Sequence, residues 1–158
     1  QEGALPGEKI CLTGELGKAQ LSLEQLFSGA QREVIAYPES LFTPEPRVRE
    51  GMELAEHASA MTDISDSLAI SLNLIARKSK VGMVVYEEML DLNHLTKFVD
   101  YEKALELYLY AGGDYELLYT SEECSHGFVI GEVIKGEGVY LETENGLKEI
   151  EFKGYSHM

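Results

Sequence analysis

Apolar residues along the chain switch between two periods, and each switch marks an element. Lys9–Thr13 (KICLT) is a β-rich run behind the Pro6-Gly7 turn signal, and Ala19–Phe27 then carries helical spacing. Tyr37–Pro46 holds three of the four prolines, so an extended connector is expected there. From Val48 to Ala60 the pattern is again helical, with Met52, Ala55, Ala58 and Leu54 as the inward candidates. A break at Met61–Ile64 precedes a second helix over Asp66–Ser79, striped by Leu68, Leu72 and Ile75, with Ser65 as its N-cap.

Gly82–Tyr86 (GMVVY) is expected to be a buried strand, and Tyr101–Tyr110 an amphipathic helix with Ala104, Leu105, Tyr108 and Leu109 on one side. Gly112-Gly113 ends that helix, and Tyr115–Thr120 is the next strand. Phe128–Ile134 and Gly138–Glu144 follow as strands; Asn145-Gly146 reads as a type I′ turn into Lys148–Phe152. Helices and strands interleave, yet the closing hairpin is antiparallel. The expected fold class is therefore α+β, a mixed sheet flanked by helices, rather than a doubly wound sheet.

Composition narrows the partners. The 158 residues suffice for one domain with its own core, and 44% hydrophobic with 26% charged residues is globular. The net charge of −15 repels phosphate backbones, which argues against nucleic acid, and no apolar run is long enough to span a membrane. Any phosphate ligand would need magnesium or a basic patch to offset that charge. Cys11 and Cys124 form no CxxC pair and are expected to be reduced thiols of a cytoplasmic protein. Gln1 opens the chain in place of a Met, as expected for a piece of something longer.

Three segments could carry chemistry. In Thr62-Asp63-Ile64-Ser65-Asp66-Ser67, two carboxylates three residues apart stand at a helix start, where hard oxygens and free N–H groups suit magnesium and phosphate. The same residues could equally be helix caps. In Gly112-Gly113-Asp114-Tyr115-Glu116, paired glycines admit a ligand close to the backbone, and alternate acids on a strand share a face; a helix cap leading into a half-buried strand is the plainer reading. In the tail, Lys153-Gly154-Tyr155-Ser156-His157-Met158, the aromatic could close over a flat heterocycle, or the tail could simply be a loose chain end. His57, His94, His126 and His157 have no metal-site spacing, and no glycine-rich nucleotide loop motif is present.

Taken in order, Pro46-Arg47-Val48, Gly51, Ala58–Met61, Asp63-Ile64-Ser65-Asp66, Asp114-Tyr115-Glu116-Leu117 and Lys153-Gly154-Tyr155-Ser156-His157 resemble the C-terminal half of the thiamine-monophosphate kinase family. Gly7-Glu8-Lys9-Ile10 with Thr13-Gly14 resembles the crossover from that family's first domain. The resemblance implies the superfamily of aminoimidazole-ribonucleotide synthetase, in which an N-terminal ATP-binding domain also forms the homodimer. It divides the chain into residues 1–36, the end of the crossover and a first element, and 37–158, the C-terminal α+β domain, within one globular unit. It also implies transfer of the γ-phosphate of ATP to thiamine monophosphate, with Asp63 and Asp66 as magnesium ligands and Ser65 against the nucleotide. Gly113, Asp114, Glu116 and Tyr155 are then the substrate-binding candidates.

Three departures from the family pattern stand out. Ser67 replaces the usual glycine after the acidic motif, Gly113 occupies the position of a substrate-contacting Glu, and Ser-His-Met closes the chain where Asp-His-Phe is common. The ATP-binding half being absent, the isolated chain is expected to fold without appreciable kinase activity. The alternatives are another superfamily member (the synthetase itself, a selenophosphate synthetase or a hydrogenase-maturation protein) and a non-catalytic ligand-binding or regulatory domain.

Overall fold

A computed structural model describes residues 3–31 and 34–155. Gln1 and the tail residues Ser156, His157 and Met158 lie outside the described residues. The elements run β1 (Lys9–Leu12), α1 (Lys18–Phe27), α2 (Pro38–Phe42), α3 (Val48–Leu54), β2 (Ala60–Asp63), α4 (Leu68–Ser79), β3 (Gly82–Tyr86), a 3-10 turn at Glu87–Met89, α5 (Asn93–Thr96), α6 (Tyr101–Tyr110), β4 (Leu117–Ser121), β5 (Phe128–Ile134), β6 (Val139–Thr143) and β7 (Gly146–Glu149). The strands form one seven-stranded sheet in the order β2-β4-β1-β5-β3-β6-β7. Every pairing is antiparallel except β3 with β6, so the sheet is mixed and the class is α+β. β1 sits between β4 and β5, so Lys9–Leu12 belongs to the same sheet as the later strands.

One face of the sheet holds most of the core. Leu68, Leu72 and Ile75 of α4 are fully buried there with Ile10, Leu12, Met83, Val85, Leu107 and Leu118. Each such side chain stabilises the fold by about 1.5–3 kcal/mol relative to exposure. A smaller cluster of Cys11, Leu54 and Tyr119, with Met61 and Leu117 packed against it, forms separately.

Several expectations are corrected. The helix predicted over Val48–Ala60 stops at Leu54, whose carbonyl accepts the N–H groups of both His57 and Ala58. Leu54 is its buried residue, whereas Met52 is 73% exposed and Ala55 is also outside the core. The expected break at Met61–Ile64 is instead mostly strand: β2 pairs with β4 through Asp63. That extension delays α4 to Leu68 and makes Ser67, not Ser65, its N-cap, with the hydroxyl accepting from Ile70 N at 3.0 Å. The connector Tyr37–Pro46 contains α2, because Pro38 stands at the helix start, where its missing N–H is harmless. Thr143 pairs with Gly146, so the hairpin loop is Glu144-Asn145, one residue earlier than expected. Cys11 and Cys124 are not free thiols: they form a disulfide, with Cα atoms 5.7 Å apart, because the β4–β5 loop is carried over β1.

Candidate functional site

The acidic turn is held at both ends and bare in the middle. Asp63 ends the edge strand β2, in register with Leu117 of β4. Ile64 is fully buried and donates its N–H to the Glu116 carbonyl at 2.8 Å. Ser67 closes the other end: besides capping α4, it donates its hydroxyl to the Lys153 carbonyl at 3.2 Å. Between these anchors Asp63, Ser65 and Asp66 are exposed. Among the described residues no hydrogen bond or ion pair reaches the side chain of Asp63, Ser65 or Asp66.

The Gly112–Glu116 loop lies against this turn. Gly113 N donates to the Ser65 carbonyl at 3.1 Å. A Cβ on Gly112 would collide with the carbonyls of Ser65 and Asp66, so only glycine allows this approach. The expected alternation of acids does not occur, because β4 begins at Leu117 and Tyr115 adopts a left-handed φ of 57°. Asp114 turns inward to the start of α1, where its carboxylate accepts from Gly17 N at 2.8 Å and Ala19 N at 3.0 Å. Gly17 is the N-cap there and has no side chain to offer, so Asp114 takes the capping role from far along the chain. Burial pushes its carboxyl pKa up against the opposing pull of those two N–H groups, and nearby Glu116 adds to the rise. Glu116 is also inward, paired with Arg47 at 2.8 Å and hydrogen-bonded by Thr13 Oγ1 at 2.8 Å.

The tail passes over the start of α4 and runs on to α1 and α6. Asn73 Nδ2 donates to the carbonyls of Ala69 at 2.8 Å and Ile150 at 3.1 Å, tying the tail to α4. Tyr155 donates its hydroxyl to Glu24 Oε2 at 2.9 Å, and Lys103 Nζ both bonds that hydroxyl and pairs with Glu24 at 3.2 Å. Lys153 lies 4.9 Å over the Tyr110 ring. A groove of about 970 Å³ between α6 and the β6–β7 hairpin shares Lys153 and Gly154 with the tail but does not reach the acidic turn. The structure therefore brings Asp63, Ser65, Asp66 and Gly113 together. It places Asp114 and Glu116 behind them with their carboxylates engaged, and Tyr155 at the α1–α6 pair. Lys103 had no motif to signal it, and Thr13 and Arg47 stood out only within the Thr13-Gly14 and Pro46-Arg47-Val48 strings.

Among the described residues no three His, Cys, Asp or Glu side chains cluster as a metal site. Nor, among the described residues, is any helix long and apolar enough to cross a membrane.

No family model matches the chain. It is 49% identical over 157 residues to the thiamine-monophosphate kinase of Archaeoglobus fulgidus, an alignment covering 99% of this chain and 51% of that protein. With the thiamine-monophosphate kinase of Methanospirillum hungatei it shares 42% identity over 160 residues, 98% of this chain and 51% of the relative. The chain thus spans about half the length of the curated relatives it matches. Among solved structures, AaThiL complexed with AMPPCP and TMP superposes with a TM-score of 0.82 at 29% identity, over 99% of this chain and 53% of the other. The hydrogenase maturation protein HypE of Escherichia coli superposes with a TM-score of 0.65 at 13% identity over 98% of this chain and 51% of the other, a likeness of fold alone. By sequence over its whole length and by fold, the chain belongs to the thiamine-monophosphate kinase family, as a C-terminal domain of the aminoimidazole-ribonucleotide-synthetase-like fold.

Proposed function

We propose that this chain supplies the cation-holding side of the active site of an ATP-dependent kinase that converts thiamine monophosphate to thiamine diphosphate. The observation that carries the reading is the pair Asp63 and Asp66, exposed carboxylates with no partner among the described residues, on a turn anchored at both ends. The pair fits magnesium: two hard oxygen donors leave positions for water and for phosphate oxygens, the usual arrangement at nucleotide sites. Magnesium, when bound, would screen the charge of the transferring phosphates. Ser65 lies between the two acids in the sequence and is exposed, and its hydroxyl is read as a contact for the nucleotide. Phosphoryl transfer asks for positioning and charge neutralisation more than for a protein nucleophile, so an acidic cation site is chemically adequate.

On the substrate side, Gly113 offers main chain beside the turn and Tyr155 an aromatic ring. The carboxylates of Asp114 and Glu116 already serve α1 and Arg47, which argues for support rather than direct contact. The names of the relatives, and a structural relative in complex with AMPPCP and TMP, support ATP and thiamine monophosphate as the ligands. They favour this reading over a hydrogenase-maturation or synthetase activity. We place the whole protein in the cytoplasm as a homodimer. The chain alone is read as having no appreciable kinase activity, since it spans about half of its relatives.

Turnover by the whole protein that carries this chain tests the reading. Asp63→Asn and Asp66→Asn should each lower kcat by at least ~100-fold, the size expected for losing one electrostatic contact to the transition state. Unfolding temperature should not change. Near-normal turnover in either variant would refute the assignment.

A further inference from the structure

Glu116 immediately precedes β4, and two distant segments meet on its buried carboxylate. Arg47, the residue before α3, donates Nε to Oε1 at 2.8 Å and Nη2 to Oε2 at 3.3 Å, a two-pronged pairing. Thr13 Oγ1 donates to Oε1 at 2.8 Å and accepts from Leu117 N at 2.8 Å, so its hydroxyl relays the carboxylate to the strand. The space above Gly14 is filled by the same carboxylate, leaving no room for a Cβ. On its backbone side, Glu116 accepts the N–H of Ile64 at 2.8 Å, the residue between Asp63 and Ser65.

Arg47 is engaged by carboxylates. Each of its three nitrogens already faces a carboxylate, Nη1 reaching Glu50 at 3.1 Å and the other two Glu116. The hydrogen bond to Glu116 also holds the guanidinium more firmly protonated than usual. Its position links it to the acidic turn: the residue whose carboxylate it grips is also the one whose carbonyl holds Ile64.

We propose that Arg47 is a positioning residue. Through its ion pair it fixes Glu116, and through the Glu116 carbonyl it sets the direction in which Asp63 and Asp66 leave the sheet. The bearing on cation affinity rests on the reading of those two acids as cation ligands. The mechanical link to Ile64 does not. A lysine cannot reproduce the two-pronged geometry, and a glutamine removes the charge as well.

The test uses the 158-residue chain with Arg47→Gln, Arg47→Lys and Glu116→Gln, and two readouts. The first is amide hydrogen exchange at Ile64 relative to core amides such as Leu72 and Val85. Arg47→Gln should speed Ile64 exchange at least ~10-fold more than those controls, as expected for a lost charge-assisted bond, with Arg47→Lys intermediate. The second is Mn2+ affinity by calorimetry, which should weaken by ~10-fold in Arg47→Gln, the scale of outer-shell effects on metal sites. Ile64 exchange at the wild-type rate, or raised only in step with the controls, overturns the proposal. A folded Arg47→Gln with unchanged Mn2+ affinity overturns its bearing on the cation site. A wild-type chain that shows no Mn2+ affinity, or keeps it in Asp63→Asn, defeats the cation reading instead, and the exchange ratio still decides the clamp. If Arg47→Gln does not fold, the Arg47→Lys ratio decides it alone.

Discussion

Breaking the Cys11–Cys124 bond is the perturbation with the largest stability effect to be read from this fold. The bond closes a loop with a sequence separation of 113, from the interior strand β1 to the β4–β5 connection. Loop-closure entropy for that length gives about 4.8 kcal/mol at 25 °C, near the upper end of the roughly 2–5 kcal/mol seen on removing native disulfides. With an unfolding entropy of about 2.1 cal/mol/K per residue, 4.8 kcal/mol becomes a drop in Tm on the order of 14 °C. The native geometry should survive the loss, because the loop has other fastenings. Tyr119 Oη donates to the His126 carbonyl at 2.5 Å and accepts from His126 N at 3.1 Å, and His126 pairs with Glu53 at 2.8 Å. Urea unfolding by far-UV circular dichroism, with and without dithiothreitol, measures the term directly, and Cys11→Ala/Cys124→Ala measures it without reductant. Coincident oxidised and reduced curves, or two titratable thiols in the purified unreduced chain, would refute the reasoning.

Gly112→Ala should displace the acidic turn, because the new methyl meets the Ser65 and Asp66 carbonyls; a loss of more than ~2 kcal/mol is expected for a backbone clash that cannot relax, read by the urea midpoint. Asp114 gives a pH signature. Its folded pKa is raised, so the native state holds its proton longer than the unfolded chain does, and its contribution to stability is full below the unfolded value and is lost as pH rises through the folded one. Wild type should therefore lose stability relative to Asp114→Asn as pH climbs from the ordinary value of 3.8, and parallel pH profiles would contradict the placement.

How much of this was legible beforehand depended on whether the determining contact was local. β3 and α6 appear with the boundaries expected, Gly82–Tyr86 and Tyr101–Tyr110, because strong periodicity and flanking breakers act within a few residues. The acidic turn was readable as an acidic turn for the same reason. Its helix cap was not, since Ser65 and Ser67 are equally good caps and the choice was made by β2 continuing to Asp63. The inward rotation of Asp114 and Glu116 was hidden as well. Their partners Arg47, Ala19, Gly17 and Thr13 lie between 69 and 103 positions away, and no local pattern encodes such contacts. The disulfide is a third case, because two cysteines without a spacing motif say nothing about which strands bring them together.

The place of β1 in the sheet also constrains the order of folding. Both of its neighbours come late: Lys9 pairs with Ser121 on one side and Glu132 on the other. During synthesis β1 therefore waits without a ladder partner until β4 and β5 have emerged, while α4, β3 and α6 can begin to pack around local contacts. Closing the sheet around β1, over so long an intervening chain, is a high-contact-order step and should dominate the folding time. Until it happens, the edges of β4 and β5 stay open, and a nascent chain stalled at that stage is exposed to strand exchange with its neighbours.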